Sequence, residues 1–168
     1  MIEQDLLLTI AEVSVGLAGF SAIVGLLGHR SGRSDLKVDA LRLQVMLEAS
    51  LLVAAYSFLP LLISNFNFEV WTTWRISSAI YLIVSIPIQF FALRRTSDMP
   101  AMKLNRMNVN SVNWTLSLAA DFIMLVVLIG AFESRAGALY LLGISFVLLM
   151  AGILFVQFAA STFMPNDR

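Results

Sequence analysis

The chain has 168 residues, of which 59% are hydrophobic and 13% are charged, with 11 basic and 11 acidic side chains. Soluble domains carry roughly a quarter of charged residues, so this composition excludes an ordinary soluble domain and is typical of an integral membrane protein. The net charge of zero gives no indication of nucleic-acid binding. Because the sequence contains no cysteine, a disulfide framework, a thiol nucleophile and a thiolate metal site are excluded.

Five long apolar stretches predict five transmembrane helices, each close to the roughly 20 residues that a bilayer requires. They cover about residues 6–28, 43–64, 75–93, 111–132 and 138–163. The N-terminal residues Met1 to Asp5 are acidic, whereas a secretory signal begins with basic residues, so we expect the first span to be retained. The expected fold class is an all-α membrane bundle that forms one transmembrane domain.

The basic residues are distributed unevenly between the two ends of the predicted spans. The connections 29–42 and 94–110, together with the C-terminal tail, hold nine of the Lys and Arg residues, whereas the opposite side holds only Arg75 and Arg135. Cytoplasmic connections are enriched in Lys and Arg. We therefore expect the two basic connections and the C-terminus in the cytoplasm, the N-terminus outside, and a bacterial cytoplasmic (inner) membrane as the location.

The stretch from Asn110 to Phe132 contains the residue that is hardest to reconcile with a lipid environment, Asp121. It lies about 13–14 Å from the cytoplasmic edge at the helical rise per residue, near the middle of a hydrocarbon core about 30 Å thick. An ionisable residue at that depth costs roughly 2.5–3.5 kcal/mol on insertion scales and is a functional candidate. Asn113 and Ser117 precede it at helical spacing, which predicts a polar path along one face.

The sequence is compatible with three states of the Asp121 carboxyl group. It is protonated, or it is neutral and hydrogen-bonded to Ser85, Gln89 or Tyr81 of the third span, or it is ionised in a water-filled cavity. The second state gives the residue a structural role, and the third gives it a functional one. Ser85 and Gln89 share a helix face with Arg75, which predicts a second polar stripe.

Two further acids fall inside predicted spans. Glu12 lies about 9 Å from the outer side of the first span, and Glu48 lies about 7 Å from the cytoplasmic side of the second. An ion pair with Arg75, at the outer end of the third span, is the structural alternative for Glu12. A pair with Arg42 or Arg106 is the structural alternative for Glu48.

The first and fifth spans differ in their small residues. The first span carries small residues on two faces, which predicts a helix inside the bundle because small residues allow close backbone approach. One face contains Ser14, Ala18, Ser21, Ala22, Gly25 and Gly28, and the opposite face contains Glu12, Gly16 and Gly19. The fifth span is almost wholly apolar, so we expect it to face lipid.

The function predicted from these features is a homo-oligomeric channel for cations or protons. Five helices leave little room for a pore inside one protomer, so a path would run along a symmetry axis, and rings of acids favour cations. The residues predicted to line the path are Asp121, Glu12, Glu48, Ser117, Asn113, Gln89 and Ser85. The sequence contains no P-loop, metal-spaced histidine cluster or phosphate-binding glycine run, so we expect no enzymatic activity, cofactor or metal.

The alternative is an interaction protein whose basic connections bind a cytoplasmic partner or anionic lipid, including a partner that holds a pore shut. Basic residues next to a membrane attract anionic leaflets by about 1 kcal/mol each. The residues predicted for this contact are Arg30, Arg33, Lys37, Arg94, Arg95, Lys103 and Arg106. The predicted partners are therefore the lipid bilayer, further copies of the chain and a cytoplasmic protein, and no nucleic acid.

Overall fold

The computed structural model describes residues 2–29, 36–97 and 107–163, with side chains described for 3–26, 43–94 and 111–160. Over these ranges the chain forms α-helices joined by short connections. They are α1 (Ile2–His29), α2 (Leu36–Ser64), α3 (Val70–Ser97), α4 (Met107–Ile129) and α5 (Ala136–Phe163), with a 3-10 helix at Glu133–Arg135. The predicted all-helical class is confirmed.

All five helices are long and apolar enough to cross a membrane. The qualifying segments are Glu3–Leu26, Leu43–Ser64, Val70–Arg94, Ser111–Ile129 and Glu133–Ala160. The predicted number of spans agrees with this count, although the third helix begins at Val70 instead of residue 75. Pro60 and Pro87 lie within α2 and α3, as the sequence indicated.

The end of α4 differs from the predicted end. The sequence placed it near Phe132, but the helix ends at Ile129 and Gly130 adopts φ +80°. The Gly130 N–H donates to Val127 O at 3.0 Å and the Ala131 N–H donates to Val126 O at 3.4 Å. These are the two bonds of a Schellman cap, which forms at Gly130 because glycine enters the left-handed region without a steric penalty.

Four of the buried serines inside the helices donate to their own backbone. Ser14, Ser21, Ser57 and Ser77 each bond the carbonyl oxygen four residues earlier, at 2.5 to 2.9 Å. Each of these four hydroxyl groups therefore has a hydrogen-bond partner within its own helix and does not require one from a neighbouring helix. This allows small polar residues to occupy helix contacts in a chain that is otherwise apolar.

The chain divides into two compact units, Met1–Phe58 with Val147–Arg168, and Leu59–Phe146. In the first unit, α1 packs on α2 at Ser21, whose Oγ donates to Met46 Sδ at 3.3 Å, and at Gly25, which lies against Leu43. The buried stripe of α1 recurs every three or four residues and consists of Leu7, Ala11, Ser14, Ala18 and Ser21.

The opposite face of α1 is exposed, contrary to the prediction that both faces are packed. Glu12 is exposed, and a Cβ built on Gly16 or Gly19 would meet no atom within 4 Å. Helix α1 has two faces of small residues. Within the described part of the chain, only the face that contains Ser14 and Ser21 is covered by other residues.

In the second unit, α3 packs antiparallel on α4. Ser78 Oγ approaches Met124 Sδ at 3.7 Å. Ser85, further along α3, contacts Asp121, which lies closer to the N-terminus of α4. Helix α5 joins this core through Tyr140, which is fully buried with its ring centroid 5.4 Å from that of Trp74. Helix α5 therefore buries one face against this core. That its remaining surface faces lipid stays a prediction. The organisation as a single transmembrane domain stays a prediction.

Candidate functional site

Asp121 lies in the middle of α4 and accepts hydrogen bonds from one face of α3. Gln89 Nε2 donates to Asp121 Oδ2 at 2.9 Å, and Ser85 Oγ donates to Asp121 Oδ1 at 3.3 Å. The Tyr81 hydroxyl also bonds the carboxyl group. We call these four residues the Asp121 cluster. The three donors are the ones that the sequence named as neutral partners.

The spacing of the donors explains why one helix supplies all of them. Tyr81, Ser85 and Gln89 are four residues apart, so they follow one another along a single helix face. The antiparallel packing of α3 on α4 brings this face to the middle of α4. All three donors are uncharged, so they stabilise the carboxyl group without neutralising it by an opposite charge.

The Asp121 cluster lies at the border between a buried and an exposed surface. Tyr81 is 1% exposed and Ser85 is 7% exposed, whereas Gln89 and Asp121 are half-buried. On α4 the buried stripe passes through Ala120 and Met124, and the adjoining side chains at Leu118, Phe122 and Leu125 are exposed. The carboxyl group therefore receives its hydrogen bonds from the α3 side, next to an exposed apolar surface of α4.

Asn113 and Ser117 lie on the same face of α4 as Asp121, toward the N-terminal end of the helix. Ser117 is buried, and Asn113 Oδ1 is buried without a hydrogen-bond partner in the described part of the chain. Buried carbonyl oxygens normally accept a hydrogen bond. Asn113 and Ser117 are therefore in line with Asp121, and Asn113 carries an acceptor without a partner among the described residues. That this row forms a path stays a prediction.

The other two acids belong to the first unit. Glu48 on α2 accepts a hydrogen bond from Gln44 Nε2 at 2.7 Å, one helical turn away. Glu12 on α1 is exposed. The structure therefore gives Glu48 a partner within its own helix, and the predicted pairs with Arg42 and Arg106 stay predictions. The predicted pair of Glu12 with Arg75 joins the two units and stays a prediction.

Arg75 has a structural role that the sequence did not reveal. Its Nε donates to the carbonyl oxygen of Leu128 at 2.8 Å, in the last turn of α4. Its guanidinium group lies 5.1 Å from the ring centroid of Trp71. The last carbonyl groups of a helix lack intrahelical partners, and a cation there also compensates the negative end of the helix dipole. A sequence signal for this contact was available. Arg75 lies at the start of the third predicted span, and in an antiparallel pair of helices the start of one lies beside the end of the next.

The predicted partner-contact residues are described only in part. Arg94 is exposed near the end of α3, with its guanidinium group 4.4 Å from the Phe90 ring centroid. The residues Arg30, Arg33, Lys103 and Arg106 lie outside the described ranges, as do the side chains of Lys37 and Arg95. Among the described residues, no three His, Cys, Asp or Glu side chains are grouped as a metal site.

Comparison with protein-family models, curated proteins and solved structures gave no match for this chain. We therefore assign the class of protein from its helices alone. Over the residues that the structure describes, the protein is all-helical, with five helices long and apolar enough to span a membrane. A carboxyl group is hydrogen-bonded to neutral side chains in the middle of one of them.

Proposed function

We propose that the protein is a homo-oligomeric membrane channel or pore that passes cations or protons along a path bearing intramembrane acids. The helices cross a bacterial cytoplasmic membrane five times, with the N-terminus outside and the C-terminus in the cytoplasm. The observation that supports this function best is Asp121, a half-buried acid at mid-helix that accepts hydrogen bonds from Ser85 and Gln89.

The chemistry of the Asp121 cluster favours contact with a positive species. A charged residue in the hydrocarbon core of a bilayer is costly and rare outside functional sites. Neutral donors offset part of this cost by hydrogen bonding, yet they leave the negative charge of the carboxylate uncancelled. Such a group attracts cations or protons, as acid rings do in cation channels.

The exposed face of α1 supports assembly from several copies. Gly16 and Gly19 have open space at their Cβ positions, and small residues on a transmembrane helix allow another helix to approach closely. Glu12 lies on the same face and is exposed. In a cyclic oligomer the same rotation relates every copy to the next, so if this face is turned toward the axis the Glu12 carboxyl groups lie near one another around it.

The test is ion flux into proteoliposomes containing the full chain. We expect the wild-type protein to pass cations or protons, and the variants Asp121→Asn and Glu12→Gln to pass fewer. The control is Glu133→Gln, which removes an exposed acid from the connection between α4 and α5. Unchanged flux in both acid variants would remove these residues from the path, and absence of wild-type flux would contradict the channel itself.

A second candidate function is binding of a cytoplasmic partner or anionic lipid. It is supported by Arg94, which is exposed near the end of α3 next to the exposed Phe90 and Phe91. Such a surface combines positive charge with apolar area, as membrane-proximal contacts do. Toxicity on overexpression of the chain alone favours a pore that a partner holds shut. Silent expression with co-purification of a larger complex favours a plain interaction subunit.

A further inference from the structure

We infer that the species bound by Asp121 is the proton, which reaches the carboxyl group from the N-terminal end of α4. This inference rests on the proposed channel function and names the species that it carries. On binding, an O–H bond forms at a carboxylate oxygen of Asp121 while one O–H bond of a hydrated proton breaks. On release the same bond breaks and the proton passes to water, so no oxidant or reductant takes part.

The partners of the carboxyl group suit a proton better than a metal cation. A cation stripped of its water requires oxygen atoms turned toward it, as in carbonyl-lined filters. At Asp121, however, the oxygens already accept hydrogen bonds, and Oδ2 faces the amide nitrogen of Gln89 at 2.9 Å. An N–H donor presents positive charge and disfavours any cation at Oδ2, so the proton adds at Oδ1, where the Ser85 hydroxyl can turn to accept. A proton requires no such shell, because it adds directly to one oxygen.

The hydroxyl groups of the Asp121 cluster can satisfy both protonation states. Ser85 and Tyr81 each carry a rotatable hydroxyl that donates or accepts. When Asp121 is ionised, both hydroxyls donate to it, as observed for Ser85 at 3.3 Å. When it is protonated, its own O–H donates and one hydroxyl rotates to accept. The cluster therefore exchanges a proton without displacing any helix.

Few of the side chains that face Asp121 are titratable and could bind the proton in its place. Of the three residues of α3 that bond it, Tyr81 is titratable and is 1% exposed. On the part of α5 that belongs to the second unit, the titratable side chain is Tyr140, whose ring packs on Trp74. Both are phenols that stay protonated at neutral pH. Asp121 is thus the carboxyl group among the described titratable side chains of this core.

The polar row of α4 provides the route from one end. Ser117 and Asn113 precede Asp121 by one and two helical turns, and successive members are separated by a rise of about 6 Å. This separation exceeds the length of a direct hydrogen bond, so the proposed route requires a water molecule to bridge each step. The buried, unpaired Asn113 Oδ1 is an acceptor for such a water. Beyond Asp121 the α4 side chains from Phe122 to Ile129 are apolar, so the polar route ends at the carboxyl group.

Proton binding can be measured without any transport assay. Infrared difference spectra of the full chain in lipid bilayers, recorded between neutral and acidic pH, report the C=O band of each protonated carboxyl group. We expect one band to be lost in Asp121→Asn and kept in Glu133→Gln, and a band to persist in Asp121→Glu, which retains the acid. A spectrum unchanged by Asp121→Asn would overturn the inference. An unaltered amide band and elution volume verify that the variants are folded.

Flux measurements separate this inference from the channel proposal. Proteoliposomes with an internal pH dye should acidify under an inward proton gradient, and Asp121→Asn should lower the rate at least about tenfold, equivalent to about 1.4 kcal/mol in barrier height. Glu133→Gln should not change it. Sodium or potassium flux that Asp121→Asn leaves intact, without proton flux, would overturn the proton assignment while the channel stands. Loss of the infrared band without flux of any ion would contradict the channel but support proton binding at Asp121.

Discussion

Gln89 and Asp121, 32 positions apart in the sequence, are joined by a 2.9 Å hydrogen bond from Nε2 to Oδ2 between α3 and α4. This contact connects the middle of α4 to a polar face of α3 that also supplies Ser85. An amide is a suitable partner for a carboxyl group in apolar surroundings because it donates without adding a second charge. The same bond therefore serves the packing of two helices and the chemistry proposed for Asp121.

Replacing Gln89 by leucine should destabilise the protein by about 1–3 kcal/mol, because a partly buried carboxyl group loses a donor. The measurement is thermal unfolding in detergent or lipid nanodiscs. Gln157→Leu on α5 is the matched control, since among the described residues Gln157 has no hydrogen-bond partner. Equal midpoints for the two variants would show that the Gln89 bond does not contribute to stability.

A double-mutant cycle isolates the interaction between Gln89 and Asp121. Replacing both members of a buried polar pair by apolar groups is often nearly neutral, whereas replacing one leaves the other unsatisfied. Asp121→Leu combined with Gln89→Leu should therefore recover stability relative to Gln89→Leu alone, with a coupling energy of about 0.5–3 kcal/mol. Strict additivity of the two single changes would contradict the observed pairing.

Replacing Arg75 by methionine should lower stability by about 1–2 kcal/mol, through loss of the bond to Leu128 O and of the contact with Trp71. Lysine should restore part of this loss, because it keeps the charge at the end of α4 but not the planar group. Arg135→Met is the control, since Arg135 is exposed close to the same turn and surface changes cost within about 0.5 kcal/mol. An effect of Arg135→Met as large as that of Arg75→Met would indicate a general charge effect.

Two glycines of α5 should respond differently to valine. A Cβ at Gly143 would lie 2.7 Å from Met124 Cε, whereas a Cβ at Gly152 would meet no atom within 4 Å. Gly143→Val should therefore cost about 1–3 kcal/mol by overpacking against α4, and Gly152→Val should be nearly neutral. Unfolding midpoints in the same detergent test this difference. Similar midpoints for both variants would contradict the close approach of α5 to α4.

The proposed orientation can be tested with single introduced cysteines, because the chain contains none of its own. Ser134→Cys, in the exposed connection before α5, should react with a membrane-impermeant maleimide in intact cells. Ser31→Cys, in the basic connection 29–42, should react only after permeabilisation. The reverse pattern would place the basic connections outside and contradict the charge rule.

The sequence by itself was sufficient to predict five long helices and the polar partners of Asp121. Long apolar stretches interrupted by charged connections have few alternatives to membrane-length helices. The helical period also places Tyr81, Ser85 and Gln89 on one face, so any packing of that face on α4 brings donors to the acid.

Only the tertiary structure decided which faces of the apolar helices are buried. Helix α1 has small residues on two sides, and the covered side is the one with Ser14 and Ser21. Helix α5 is apolar all round, yet Tyr140 is buried and Leu142 is exposed. In such helices hydrophobicity does not distinguish one face from another. The face that is buried is therefore the one whose side chains pack closely against the neighbouring helices. The contact of Arg75 with Leu128 likewise depends on where α4 ends, which is set by the conformation of Gly130 and not by the length of the apolar stretch.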